Sequence, residues 1–329
     1  MKKENNIFDF ATKELSQDAL LCWLINFKNY KDDKILYRKS IEILNYIFKC
    51  KNLQVNIEEY SIEIMQQYNF IDIFILLKDK EDIEKYAIII EDKKLTSIHN
   101  NQIEIYKAKI KNIYKSLNEE NIITVYYKPY EELEIIKADV IINREYMLNN
   151  IFNNNIDNQI FMDYKKYLQE IDDIYKYFES TPIKKWNKIM LYKCAKEYNK
   201  KQKETNKKMR IAQVRGSAFI DWYEIININK KFSKYFTKIY LSLNINYGKF
   251  ELRVRGITKQ CSADKRNELE NLIREKCRET EISVEKFSHR KIKEKTNIIL
   301  TKINLNENYC YKDLILIIKK LEKIINEII

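Results

Sequence analysis

Glycine and proline are nearly missing from this chain, with Gly 3 and Pro 2 in 329 residues. Few turns can therefore rely on the backbone shapes reserved for those residues. That favours a helix-rich protein whose loops are built from Asn, Lys and Asp. Histidine is as scarce, at His 2. The cysteines, Cys22, Cys50, Cys194, Cys261, Cys277 and Cys310, are scattered without a CxxC pair. This excludes a zinc constellation and gives no support to Cys/His or Ser/His/Asp catalysis. Such cysteines are expected as reduced thiols of a cytoplasmic protein. The absence of a glycine-rich phosphate loop argues against an intrinsic ATPase. No apolar run approaches the length of a membrane span, and no signal-peptide core follows Met1-Lys-Lys-Glu-Asn-Asn. No membrane partner is expected.

A hydrophobic fraction of 45% is that of a packed globular protein. The length suits one large domain or, better, two. Lys+Arg 60 against Asp+Glu 48 gives a net charge of +12. That balance suits a polyanionic partner such as nucleic acid, although a lysine-rich solvated surface gives the same sum. The excess of Lys, Asn, Ile and Tyr matches a base-composition bias and carries no functional weight.

Residues 12–27 read as an amphipathic helix with Leu20, Leu21, Trp23, Leu24 and Ile25 as its apolar body. Glu14, Gln17 and Asp18 stand near its start at helical spacing. A second helix is predicted over 34–50 and a weak strand over 55–64, with Glu59 and Glu63 interspersed. Strong strands follow over 70–77 and 86–91, joined by a charged turn. A helix over 101–117 carries Ile103, Tyr106, Ile110, Ile113 and Leu117 on one stripe. Residues 122–127 form a near-continuous apolar run, as in a strand covered on both faces, and 140–142 suit a further short strand. This order predicts an α/β protein with helices on a mixed sheet. Helices are predicted over 144–152, 163–178 and 185–200, then a polar boundary from Lys200. Beyond it, 235–246 and 249–257 flank Tyr247-Gly248 as a β-hairpin. Helices over 263–277 and 311–328 complete a smaller α+β domain.

The chemistry concentrates in Phe70-Ile-Asp72-Ile-Phe-Ile-Leu-Leu and Tyr86-Ala-Ile-Ile-Ile-Glu91-Asp92-Lys93. A carboxylate inside such apolar runs needs a partner, a cation or a catalytic task. Side chains alternate along a strand, so Glu91 and Lys93 share a face and Asp92 points to the other. Phosphodiester cleavage needs an activated water and neutralisation of charge on phosphorus. A divalent cation held by a few carboxylates, with a lysine beside it, supplies both. Asp72, Glu91 and Lys93 make up that set. Lone His99 reads more simply as structural.

Asp72…Glu91-Asp92-Lys93 resembles the signature of the PD-(D/E)xK nuclease superfamily, with the acid on one strand and E-x-K on the next. Gln102-Ile-Glu-Ile-Tyr106 on the following helix is similar to the QxxxY element of RecB-like members. Ala11-Thr-Lys-Glu14-Leu-Ser-Gln-Asp18-Ala is similar to a first helix whose glutamate faces the active site. The resemblance covers residues 8–128. It departs from the pattern at Ile71, where the name-giving proline would stand, and at Phe70, where related sequences often carry a basic residue. The resemblance implies a restriction-endonuclease-like core, taken over 1–150; the element pattern adds a helical extension and linker over 151–205 and the α+β domain over 206–329. The resemblance also implies a metal-dependent nuclease acting on DNA, with RNA left open as the alternative, in restriction, repair or phage defence. Mg²⁺, or Mn²⁺ in its place, would be held by Asp72, Glu91, Glu14 and the carbonyl of Asp92. Lys93 would orient water or stabilise the transition state, and Gln102 and Tyr106 would hold a neighbouring phosphate.

In the carboxy-terminal domain, Arg253 and Arg255 share a strand face, with Arg215, Lys249 and Lys259 in flanking stretches. They suit contact with a phosphate backbone; the rival is a dimerisation or partner-subunit surface. For the whole chain, the rivals are a catalytically inactive binding module on the same fold, and a scaffold in which Asp72 pairs with a buried base.

Overall fold

The computed structural model describes residues 5–11, 13–94, 101–133, 135–201, 209–214, 217–222, 232–246, 249–259, 263–285 and 297–328. The chain divides into two compact units, Met1–Asp173 and Ile174–Ile329.

The first unit opens with helices α1 (Glu14–Asn26) and α2 (Lys34–Cys50), followed by strands β1 (Ser61–Tyr68), β2 (Ile71–Lys78) and β3 (Glu84–Asp92). Helix α3 (Gln102–Ile113) leads to β4 (Ile122–Lys128) and β5 (Val140–Asn143). Helix α4 (Arg144–Tyr146) continues as a π-helical turn over Met147–Ile151 and precedes α5 (Gln159–Lys176). The sheet order is β1-β2-β3-β4-β5. The first three strands form an antiparallel meander, whereas β4 and β5 join in parallel. This is the mixed α/β sheet that the order of elements predicts.

Strand alternation decides which helix covers which face. Ile73, Ile75, Leu77, Ile88 and Ile90 pack with Leu20, Leu21 and Leu24 of α1, Leu44 and Ile47 of α2, and Phe161, Tyr164 and Leu168 of α5. Phe74, Leu76, Ala87 and Ile89 pack on the other face with Tyr106 and Ile110 of α3. Each buried Ile, Leu or Phe among them contributes about 1.5–3 kcal/mol. Asp33 caps α2 by accepting from the backbone of Ile35 and Leu36 at 3.2 and 3.0 Å. The weak strand expected over 55–64 begins only at Ser61, because Ile57–Glu59 form a 3-10 turn capped by Asn56.

The β1–β2 hairpin closes through the two-residue loop Asn69-Phe70, with φ of 55° and 71°. Such a loop favours Asn followed by Gly. A phenylalanine in that left-handed position costs about 1–2 kcal/mol.

The second unit holds α6 (Lys188–Lys201), β6 (Met209–Val214), β7 (Ser217–Trp222), β8 (Phe236–Asn246), β9 (Lys249–Thr258), α7 (Ala263–Glu279), β10 (Val284–Glu285), β11 (Asn297–Ile303) and α8 (Tyr311–Ile328). Its antiparallel sheet runs β10-β11-β9-β8-β7-β6. The predicted hairpin is β8–β9, paired as far as Asn246 and Lys249. Its expected turn, Tyr247-Gly248, lies outside the described residues, as do Arg215, His99 and most of the polar boundary after Lys201. Leu269, Ile273 and Cys277 of α7 and Leu314, Ile318 and Leu321 of α8 are buried. No helix among the described residues is long and apolar enough to cross a membrane.

Candidate active site at the ends of β2 and β3

Asp72 is the second residue of β2; Glu91 and Asp92 are the last two of β3, and Lys93 follows. The register Ile73↔Ile90 brings these strand ends side by side. Both Glu91 and Asp92 are fully buried, and Lys93 is 8% exposed.

The Lys93 ammonium sits among three oxygens. It forms an ion pair with Glu91 Oε1, donates to the Asp92 carbonyl at 3.0 Å and lies 3.5 Å from Asp72 Oδ2. Asp72 Oδ2 also accepts from the Asp92 amide at 3.0 Å, which fixes the carboxylate against the neighbouring strand. The Glu91–Lys93 contact is an ion pair without hydrogen-bond alignment, since neither buried Glu91 oxygen has a well-directed donor. Burial, and then the nearby Asp72 carboxylate, push the Glu91 carboxyl up to about 7. Burial pulls the Lys93 ammonium down, but Glu91, Asp72 and Glu14 outweigh it and hold the group above its usual value.

Asp92 turns its side chain to the opposite face, as alternation requires, and meets α1. Gln17 Nε2 donates to Asp92 Oδ1, and the Asp18 carboxyl lies within electrostatic reach of Asp92. Burial, then Asp18, raise the Asp92 carboxyl well above the carboxylate range. Burial raises Asp18 to about 6, with Asp92 opposing. Both carboxyls are raised, so this buried pair holds a proton in the neutral range where separate surface acids would hold none. Gln67, with φ of 54°, links the two faces: its amide reaches Asp18 Oδ2 at 3.4 Å and Asp72 Oδ1 at 3.3 Å. Glu14 accepts from the Lys94 amide at 2.9 Å, so the first turn of α1 holds the chain just beyond Lys93.

On the α3 face, Gln102 Nε2 donates to the Tyr106 hydroxyl at 2.8 Å. Burial raises the Tyr106 hydroxyl; its bond to Gln102 opposes, and Glu91 and Asp72 add to the rise. The pair therefore lies within electrostatic reach of the acids. Among the sequence-selected residues, Asp72, Glu91, Asp92, Lys93 and Glu14 meet at one place, beside Gln102 and Tyr106. Glu63 instead pairs with Lys78 at 3.2 Å, and Glu59 accepts from Asn56 in an exposed turn. In the second unit, Arg253 donates to Glu251 at 2.8 Å, and Arg255 lies 5.7 Å from the Tyr240 ring centroid.

Gln67 is the residue that sequence reasoning missed. Its role depends on a left-handed backbone next to the hairpin loop, and nothing in the local pattern signals it.

Among the described residues, no group of three His, Cys, Asp or Glu side chains forms a ready-made metal cage. The converging donors are two carboxylates and one main-chain carbonyl, all oxygens of the kind that hard divalent cations take. No protein-family model, curated protein or solved structure matches the chain.

Proposed function

We propose that the first unit is a divalent-metal-dependent nuclease of the PD-(D/E)xK type with a restriction-endonuclease-like core, acting on DNA. The observation that carries this reading is the convergence of Asp72, Glu91 and the Asp92 carbonyl on a single positive charge. Full burial of the Glu91 carboxyl, whose one charged partner among the described residues is the Lys93 ammonium that it shares with Asp72, supports it as well.

Asp72, Glu91 and the Asp92 carbonyl would hold Mg²⁺ or Mn²⁺, with Glu14 at the edge of the set. A cation bound there supplies an activated water and neutralises charge on the phosphate. Lys93 then leaves its resting place among the oxygens, orients the attacking water and donates to the phosphoryl oxygens as their charge grows. Asp92 N–H keeps Asp72 aligned throughout. The Gln102–Tyr106 pair offers hydrogen bonds to a neighbouring phosphate. The net charge of +12 suits a nucleic-acid substrate.

One observation favours a rival. The Lys93 ammonium already satisfies the three oxygens, as a permanent counter-ion would in an inactive nucleic-acid-binding module. Cleavage of plasmid and oligonucleotide DNA with Mg²⁺ or Mn²⁺, beside Asp72→Ala and Lys93→Ala, separates the two. The nuclease reading requires metal-dependent cleavage that both substitutions abolish. Equal activity in the variants overturns it, and binding without cleavage selects the rival.

A further inference from the structure

We propose that Phe70, backed by Lys109, is a stacking platform for an unpaired base beside the phosphate held at Asp72, Glu91 and Lys93. This deepens the nuclease reading and rests on it. It names the substrate class as nucleic acid with a single-stranded or unstacked nucleotide at the cleavage point.

Phe70 is 79% exposed, although its side chain is wholly apolar. It also occupies the left-handed region, where its β-carbon is crowded. Among the described residues, the other non-glycine residues there are Asn52, Gln67, Asn69, Asp82, Asn101 and Glu281, every one with an amide or carboxylate side chain. A bulky ring both strained and exposed gains little from burial, and strain of this kind collects where function needs a side chain held out.

The ring is also held in place. The loop is only two residues long, and Lys109 of α3 donates to the Asn69 carbonyl at 3.1 Å. The same ammonium lies 4.9 Å from the Phe70 ring centroid. Lys109 thus takes one face of the ring and leaves the other in solvent, with a positive charge alongside for a phosphate. Phe70 precedes Asp72 by two residues, a separation along the chain of at most about 7 Å, within the reach of one nucleotide. A ring face beside a cation accepts any base, but only a base with its own face free.

The test uses the full-length chain without divalent cation and single-stranded oligonucleotides carrying 2-aminopurine at successive positions. Binding is expected to quench the probe at one position. Phe70→Asn, whose side chain tolerates the left-handed backbone, is expected to abolish that quenching and weaken binding roughly 5- to 100-fold. Its melting temperature is expected to rise by roughly 2–4 °C, which excludes misfolding as the cause. Phe70→Trp is expected to keep both quenching and affinity. Wild-type quenching and affinity in Phe70→Asn overturn the platform, as does failure of the wild-type chain to bind single strands. Metal-dependent cleavage that Phe70→Asn leaves unaltered removes the platform and spares the nuclease. Quenching that depends on Phe70 without any cleavage removes the nuclease and keeps the platform.

Discussion

Glu91 and Lys93, two residues apart on one face of a strand end, form an ion pair in which the carboxylate is fully buried. Lys93→Met leaves that carboxylate without its cation. At pH 8 the variant is expected to lose about 3–5 kcal/mol of stability, read by urea denaturation, and Glu91→Gln in the same chain should restore most of it. If the oxygens hold metal, Lys93→Met should also bind Mg²⁺ more tightly in calorimetry while cleaving about 10²–10⁴-fold more slowly. Weaker Mg²⁺ binding would show that the ammonium does not compete for those oxygens.

The carboxyl of Glu91 rises from 4.5 to about 7 and that of Asp18 from 3.8 to about 6, chiefly through burial. Folding therefore favours their protonated forms. The stability each contributes is complete below its ordinary value and is lost as pH climbs through its raised one. Without metal, the melting temperature should fall between pH 5 and pH 7.5. If Glu91 holds the proposed Mg²⁺, the metal competes with the same proton, and the rise in melting temperature on adding Mg²⁺ should be larger at pH 8 than at pH 5.5. A metal effect independent of pH would separate Glu91 from the cation.

The proton held by the Asp92–Asp18 pair distinguishes two substitutions. Asp18→Asn keeps a polar neighbour for Asp92 and removes one ionisable acid, so its melting temperature at pH 8 should equal or exceed that of the parent. Asp18→Ala removes the polar neighbour of the buried Asp92 carboxyl and opens space beside it, and should cost about 1–3 kcal/mol. Similar losses in both variants would mean that the aspartates are not coupled.

In the second unit, a β-carbon on Gly256 would stand 2.9 Å from Phe236 Cδ1 and 3.5 Å from Leu300 Cδ1. Phe236 is itself buried and has little room to move. Gly256→Ala should destabilise this unit by about 1–3 kcal/mol. The Glu91 and Asp18 titrations in the first unit should stay unchanged, as observed by NMR of labelled carboxylates.

The site's strands were legible because their apolar runs were dense and an acid interrupted each. Alternation alone placed Asp92 opposite Glu91, and the structure shows Asp92 against Gln17. What alternation could not supply was the partner across space. Nothing near Asp92 in sequence signals Asp18, and Gln67 reaches Asp72 only through its positive φ. In the second unit, β6, β7 and β11 escaped sequence reading. Segments such as Met209-Arg-Ile-Ala-Gln-Val carry too little contrast between their faces to stand out beside a lysine-rich stretch. The β8–β9 hairpin, with a stronger pattern, was found.

The meander β1-β2-β3 has consequences for the order in which the molecule assembles. Its strands are neighbours in sequence and pair through short loops, whereas β4 reaches β3 only after the chain has passed through α3. Local pairings close faster than distant ones. The carboxylates of Asp72 and Glu91 are thus expected to be pressed together before Tyr106 and the rest of α3 enclose them. Lys93 arrives on the same strand end as Glu91, so the charge that relieves their repulsion is delivered by the pairing that creates it.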